Sequence, residues 1–64
     1  MFELIDNGDN AGVHWYAIKA PDGRSVTIVE GSSHYYVAYG RGVQTVDGFL
    51  AAQIAACELL GIMP

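Results

Sequence analysis

The pattern of apolar residues changes from strand-like to nearly continuous at about residue 48. Upstream of this point, Val13–Ala20 and Ser25–Glu30 are rich in β-branched and aromatic residues, as strands are. The residues between them, 21–23, read Pro-Asp-Gly, which has the composition of a tight turn. Alternation along the second segment places Val26 and Ile28 on one face. The pattern therefore predicts an antiparallel hairpin.

The last segment, Gly48–Pro64, has the length and composition of a helix that lacks a polar face. Its polar side chains are Gln53 and Glu58, which lie about 140° apart on a helical wheel at ~100° per residue. Either Thr45 or Asp47 is expected to cap its N-terminus. A surface helix of a monomer normally shows one polar face. The segment therefore predicts a helix wrapped by its own sheet or pressed against a second chain.

The two sides of this helix differ in bulk. We expect the bulky side to pack on the sheet and the small side to approach another chain. The bulky side carries Phe49, Leu50, Ile54 and Leu60. The small side carries Gly48, Ala51, Ala55 and Glu58, with Ile62 below them.

Two further segments complete the predicted fold. Phe2–Asp6 is a short apolar run that suits a strand, and residues 7–12 have the composition of a loop. Ser33–Gly42 has strand composition, although Ser33 also suits the cap of a short helix. We therefore predict one α+β domain over residues 1–64, with an antiparallel sheet of three to four strands and one C-terminal helix packed on it.

Length and charge exclude several classes of protein. The chain has 64 residues, 52% of them apolar, and a net charge of −4, which excludes a disordered chain and disfavours direct binding of nucleic acid. Domains of this size have thin cores and often oligomerise. Met1-Phe2-Glu3 does not resemble a secretion signal, and the apolar tail is shorter than a membrane span of ~20 residues. We expect the protein to be cytoplasmic, to form a homodimer and to make no contact with a membrane.

The candidate chemical groups do not form a convincing catalytic or metal-binding pattern. Cys57, the only cysteine, suits the core because free cysteine is usually buried. His14, His34 and Glu30 lack the spacing of a zinc site. Residues 6–10 lack the pattern of a calcium loop. We therefore expect no catalytic residue, no metal and no cofactor.

The aromatic residues suggest a binding surface. Neighbouring residues of a strand point to opposite faces, so adjacent rings cannot all enter one core. Tyr and Trp are favoured at protein interfaces. The candidate contact residues are Trp15, Tyr16, Tyr35, Tyr36, Tyr39 and Phe49, with Ala51, Ala55 and Ile62 on the helix.

Four short motifs resemble the YegP-like family of small ββα domains. Residues 2–4 read Phe-Glu-Leu, residues 16–23 read YAIKAPDG, Glu30 follows the return strand, and residues 42–46 read GVQTV like the family's closing segment. The resemblance covers residues 2–46. It implies a ββα unit, present as two tandem copies or as one copy that pairs with itself, and a helix in the middle segment. It implies no established chemistry.

Two functions follow as expectations. The first is a non-enzymatic protein-interaction module that forms a homodimer and binds another protein. The second is a small acidic phage-type inhibitor that blocks a host nucleic-acid machine, such as a defence nuclease complex, by protein binding or by nucleic-acid mimicry. Its carboxylates would then stand in for phosphates and would need to share one face. The acidic residues are Glu3, Asp6, Asp9, Asp22, Glu30, Asp47 and Glu58.

Overall fold

The computed structural model describes residues 1–64 as one antiparallel sheet with one helix packed on it. The strands lie in the order in which they occur along the chain. The elements are β1 Glu3–Asn10, β2 Val13–Lys19, β3 Ser25–Glu30, β4 Tyr35–Tyr39, β5 Gly42–Val46 and α1 Phe49–Leu60. The predicted α+β class and the C-terminal helix are confirmed. The predicted strand number of three to four is corrected to five.

Two of the hairpins close with two-residue turns that suit the twist of the sheet. Ala11 and Gly12, between β1 and β2, both have positive φ, at 56° and 83°, which is typical of a type I′ turn. Between β4 and β5, Gly40 has φ of 61° and is followed by Arg41, as in a type II′ turn. Because the first turn needs only two residues, β1 continues to Asn10 through most of the segment predicted as a loop.

The ambiguous segment of residues 33–42 contains the strand β4 and no helix. The strand preference of its tyrosines and Val37 is therefore confirmed, and the helix that the family resemblance implies for this segment is not formed. The additional strand is β5, which the sequence prediction did not include. A Gly-Arg turn followed by the β-branched residues Val43, Thr45 and Val46 is the hairpin signal that would have found it.

The core lies between the helix and the central strands. Ile18 on β2, Val26 and Ile28 on β3, and Val37 on β4 are almost fully buried beneath the helix. Val26 and Ile28 share this face, as alternation predicts. The helix contributes small residues and Leu60. Its buried side chains are Ala52, Ala55, Ala56, Cys57 and Leu60.

The helix is rotated relative to the prediction from side-chain bulk. Ala52 and Ala56 are completely buried against the sheet, whereas Leu50 is 69% exposed and Ile54 is 39% exposed. The sheet already supplies β-branched side chains to the core, so small residues on the helix let the two layers approach closely. Of the side chains predicted to pack on the sheet, Leu60 is fully buried and Phe49 is partly buried.

The ends of the helix differ in how they are stabilised. The N-cap is Gly48, with no hydrogen bond from a capping side chain, so neither Thr45 nor Asp47 caps the helix. Thr45 lies in β5 instead. At the other end, Gly61 adopts a left-handed conformation with φ of 72°, and its N–H donates to the carbonyl of Glu58. With 12 residues, α1 is too short to span a membrane.

Candidate functional site

The sheet face opposite the helix is uncovered and carries no charge across its centre. We call this surface the open face. Alternation and strand pairing place two rows of residues across this face. One row runs from Ile5 to Val43, and the other runs from Trp15 to Thr45. Its members are Ile5, Trp15, Ala17, Thr27, Val29, Tyr36, Ala38, Val43 and Thr45. The charged Glu3 and Lys19 lie only at its border.

The predicted aromatic contact residues divide between the two faces of the sheet. Trp15 and Tyr36 lie on the open face, where the Trp15 indole N–H donates to the Asn10 carbonyl at 3.0 Å. Tyr36 is 38% exposed. Its ring closely approaches Gly31, because a Cβ added at Gly31 would lie 2.7 Å from Tyr36 Cε2. This glycine therefore leaves room for the ring beside the open face.

The other rings lie on the helix side. The Tyr16 ring centroid is 4.6 Å from that of Phe49, and the Tyr35 centroid is 5.4 Å from it. The His14 ring also packs obliquely against Tyr16, with a centroid separation of 4.7 Å. Tyr39 lies at the far end of β4 and is 36% exposed. Of the predicted aromatic contacts, Tyr16, Tyr35 and Phe49 therefore pack within the fold.

The predicted helix contacts also separate. Ala55 is only 6% exposed and packs in the core, so little of its side chain is accessible to a partner. Ile62 is partly buried against the same core. Ala51 is exposed and lies on the outer side of the helix with Leu50 and Ile54. The outer side therefore carries bulky apolar side chains together with the exposed Glu58, in contrast to the small-residue surface predicted from the sequence.

The charged residues are separated along the strands. We call the end of the sheet where β1, β3 and β5 finish the acidic end. Four carboxylates belong to it, namely Asp6, Asp9, Glu30 and Asp47. The opposite end carries three acidic and three basic residues, Glu3, Asp22, Glu58, Lys19, Arg24 and Arg41. Because these six cancel, the formal net charge of −4, counted with both histidines neutral, lies at the acidic end.

A β-bulge places two of these carboxylates around one histidine. The pairing shifts by one residue between Asp6 and Gly8, so Asp6 and Asp9 both lie beside His14. His14 Nε2 is 2.6 Å from Asp6 Oδ1, and Nδ1 is 2.6 Å from Asp9 Oδ1. Both contacts are hydrogen bonds only when the imidazole carries two protons. The bulge therefore builds a site for an imidazolium between two carboxylates.

These contacts change the proton affinities of the groups. Hydrogen bonds to the carboxylates of Asp9 and Asp6 raise the pKa of His14 above its ordinary 6.5. The backbone N–H of Gly8, and then His14, lower the pKa of Asp6 below its ordinary 3.8. Desolvation, followed by the charge of Glu30, raises the pKa of Tyr16 above its ordinary 10.0. The Tyr16 hydroxyl donates to Glu30 Oε1 at 3.3 Å.

We expect His14 to titrate above pH 6.5 and its pKa to fall in Asp9→Asn, which removes the larger of the two hydrogen bonds' effects and leaves that of Asp6. The contribution of His14 to stability is complete below pH 6.5 and is lost as the pH rises through its raised folded pKa. The contribution of Asp6 is present above pH 3.8 and is lost as the pH falls through its lowered pKa. The ion pairs of His14 therefore make their full contribution to stability between pH 3.8 and pH 6.5. NMR titration of the His14 ring measures the shift directly.

The matched control is Asp47→Asn, because Asp47 Oδ1 contacts His34 Nδ1 at 3.2 Å and does not contact His14. It should leave the titration of His14 unchanged. An equal titration midpoint in wild type and Asp9→Asn would show that the carboxylates do not hold the imidazolium.

The structure does not assemble the metal-binding set considered from the sequence. His14 and Glu30 lie directly opposite each other on neighbouring strands, whereas His34 contacts Asp47. No group of three or more His, Cys, Asp or Glu side chains is placed to hold a metal ion. Cys57 is fully buried, and desolvation raises the pKa of its thiol. The prediction that Cys57 is a core residue is confirmed.

Comparison with known proteins finds no matching family model, no matching curated protein and no matching solved structure.

Proposed function

We propose that this chain is a non-enzymatic protein-interaction module that forms a homodimer and binds a further protein through its open face. The observation that carries this proposal is the uncharged open face, on which Trp15 and Tyr36 lie among Ile5, Val29 and Val43. Contiguous apolar surface of this kind marks interaction sites on soluble proteins. Aromatic residues are enriched at such sites because their rings desolvate readily.

Self-association is supported by the exposed surfaces and not by the thinness of the core. The accessible surface is 4084 Å². A folded monomer of 6.9 kDa is expected to expose about 4,000 Å². The chain is therefore as compact as an ordinary monomer, although only ten of its residues are buried. What is unusual is the character of the surface, because Leu50, Val43 and Met63 are each more than two-thirds exposed.

The charge distribution favours a protein partner over nucleic acid. Binding to nucleic acid depends mainly on basic side chains that contact phosphates. Lys19, Arg24 and Arg41 all lie at one end of the sheet with three acidic residues, and no basic residue lies within the open face. The rings of the open face therefore lack the basic surroundings of a single-strand-binding platform.

We expect Tyr36→Lys to weaken binding of the protein partner at least about tenfold and Tyr39→Lys to preserve it. The two tyrosines lie on β4, are similarly exposed at 38% and 36%, and point to opposite faces of the sheet. Wild type and both variants serve as immobilised baits for the same mixture of proteins. Circular dichroism establishes that each bait is folded. The proposal is supported by a protein retained by wild type and Tyr39→Lys and reduced at least about tenfold by Tyr36→Lys.

Equal retention by all three baits would rule out the open face as the binding surface. Equal loss in both variants would have the same meaning, because a general change of charge would then explain the result. The two variants thus distinguish binding through the open face from a general effect of the added positive charge.

The acidic inhibitor is the second candidate, and the segregation of charge favours it. The seven carboxylates divide four to three between the two ends, but all three basic residues lie at the opposite end, so the formal net charge of −4 lies at the acidic end. Such an end suits a basic protein surface that normally contacts phosphates. Binding that weakens steeply with salt and in an Asp9→Asn, Glu30→Gln double variant, but not in Tyr36→Lys, would favour this function over the first.

A further inference from the structure

The two edges of the sheet are protected to very different degrees. Edge strands expose unpaired backbone groups, and proteins protect them with charges, bulges or proline. The edge strand β1 has both a bulge and the acidic residues Glu3, Asp6 and Asp9. The edge strand β5 has the sequence GVQTV, with no charge, no proline and no bulge, and four of its five residues are exposed. Only β5 is therefore free to accept another strand.

The pairing of β5 with β4 identifies which of its backbone groups face solvent. Tyr39 and Gly42 flank the two-residue turn, so they form a hydrogen-bonded pair of the antiparallel ladder. Pairs alternate along the ladder between bonded and non-bonded. Gly42, Gln44 and Val46 therefore form backbone hydrogen bonds with β4. The N–H and carbonyl groups of Val43 and Thr45 point away from the sheet, toward the open edge.

We propose that a second copy of this chain pairs with the β5 edge, antiparallel and centred on Gln44. In this register, Val43 of each copy lies opposite Thr45 of the other copy. Both residues present their N–H and carbonyl groups outward, so each of these two pairs exchanges two hydrogen bonds. The side chain of Gln44 lies opposite Gln44 of the second copy, and an amide both donates and accepts hydrogen bonds. The strand is thus complementary to itself.

The charges that flank β5 fit the same register. Arg41 precedes the strand by one residue and Asp47 follows it by one residue. A pairing centred on Gln44 brings Arg41 of each copy beside Asp47 of the other copy, which gives two equivalent pairs of opposite charge. The Asp47 side chain is 96% exposed and is therefore accessible to a second chain. The strand between them carries no charge, so two chains of net charge −4 can approach here without local repulsion.

The protection of β1 limits the assembly to two chains. Pairing of like strands about a two-fold axis uses the same surface on both copies and closes after two. Continued growth would require β1 to accept a strand, which its bulge and three carboxylates oppose. The product is a ten-stranded sheet with one helix per chain, in which the two open faces form a continuous surface. This inference rests on the proposed homodimer and specifies its geometry.

Replacement of Thr45 by proline tests the proposal, with Thr45→Val as the matched control. Proline removes the outward N–H of Thr45 and leaves the hydrogen bonds between β4 and β5 in place. Valine retains the N–H and the branched shape. Light scattering over a concentration series should show that wild type and Thr45→Val dimerise alike, whereas the dissociation constant of Thr45→Pro rises by more than about tenfold. Circular dichroism establishes that all three proteins are folded.

Amide hydrogen exchange in the wild type gives a second measurement that needs no substitution. The N–H groups of Val43 and Thr45 should become protected as the protein concentration rises, while that of Gln44 is protected at every concentration. A dimer in which Val43 and Thr45 exchange rapidly at all concentrations would overturn the β5 pairing and leave the homodimer of the proposed function intact. A wild type that remains monomeric would overturn both.

Discussion

Replacement of Leu60 by alanine should lower the free energy of unfolding by about 2–5 kcal/mol, because it removes a large side chain from a filled core. Leu60 is 1% exposed and is the largest buried side chain that the helix contributes. A chain of 64 residues is expected to have a total stability of roughly 3–10 kcal/mol. The thermal midpoint should therefore fall by roughly 10–30 °C, as measured by circular dichroism.

Leu50→Ala provides the control, since it makes the same chemical change in the same helix. Leu50 is 69% exposed, so its replacement should alter the free energy of unfolding by no more than about 0.5 kcal/mol. A larger loss in Leu50→Ala than in Leu60→Ala would mean that the other side of the helix packs on the sheet. The comparison thus tests which side of the helix packs on the sheet, and does not only test whether the helix is formed.

Local sequence signals were sufficient for the elements whose structure depends on neighbouring residues. The hairpin of β2 and β3 follows from β-branched strands around a Pro-Asp-Gly turn, and its buried face follows from alternation at Val26 and Ile28. The end of the helix at Gly61 follows from the preference of glycine for the left-handed conformation. These features need no knowledge of distant contacts.

The rotation of the helix could not be predicted in this way because it depends on the sheet. A helix whose residues are nearly all apolar has no polar face to indicate its outer side. The bulk of Ile18, Ile28 and Val37 fills the space beneath the helix, so Ala52 and Ala56 fit there better than Leu50 would. That complementarity appears only after the strands are arranged.

The β1 strand shows a second limit of local reasoning. Asn7 and Gly8 are typical turn residues, and they predict a loop after Asp6. In the structure they form a bulge, with φ of 75° at Gly8 and its N–H bound to Asp6 Oδ1 at 2.8 Å. The turn chemistry is therefore present but lies within a strand. The site around His14 depends on this bulge and was missed for that reason.

Alternation predicted that the aromatic residues divide between two faces but not which residue faces outward. Trp15 and Tyr36 lie on the open face because the face of Ile18 and Val37 is the one that the helix covers. One layer of helix against one five-stranded sheet leaves the second face without a cover. The open face and the unprotected β5 edge adjoin at Val43 and Thr45. The proposed contact with a protein partner and the proposed pairing with a second copy would therefore lie side by side.

Replacement of Ala55 by arginine should destabilise the fold by about 3 kcal/mol or more, because the new side chain would enter the contact between helix and sheet. Ala55 is 6% exposed, so a guanidinium there must either lose its hydration or displace the helix. Given a total stability of roughly 3–10 kcal/mol, much of the variant should be unfolded at 25 °C. Urea unfolding followed by circular dichroism measures the loss.

Ala51→Arg is the matched control, one helical turn earlier on the exposed side. It should remain folded, with a free energy of unfolding within about 0.5 kcal/mol of wild type. A variant Ala55→Arg that is folded and merely monomeric would return Ala55 to an interface between chains, as its small size first suggested. Unfolding of Ala55→Arg at every concentration, with Ala51→Arg unaffected, would establish that Ala55 belongs to the core and not to an interface between chains.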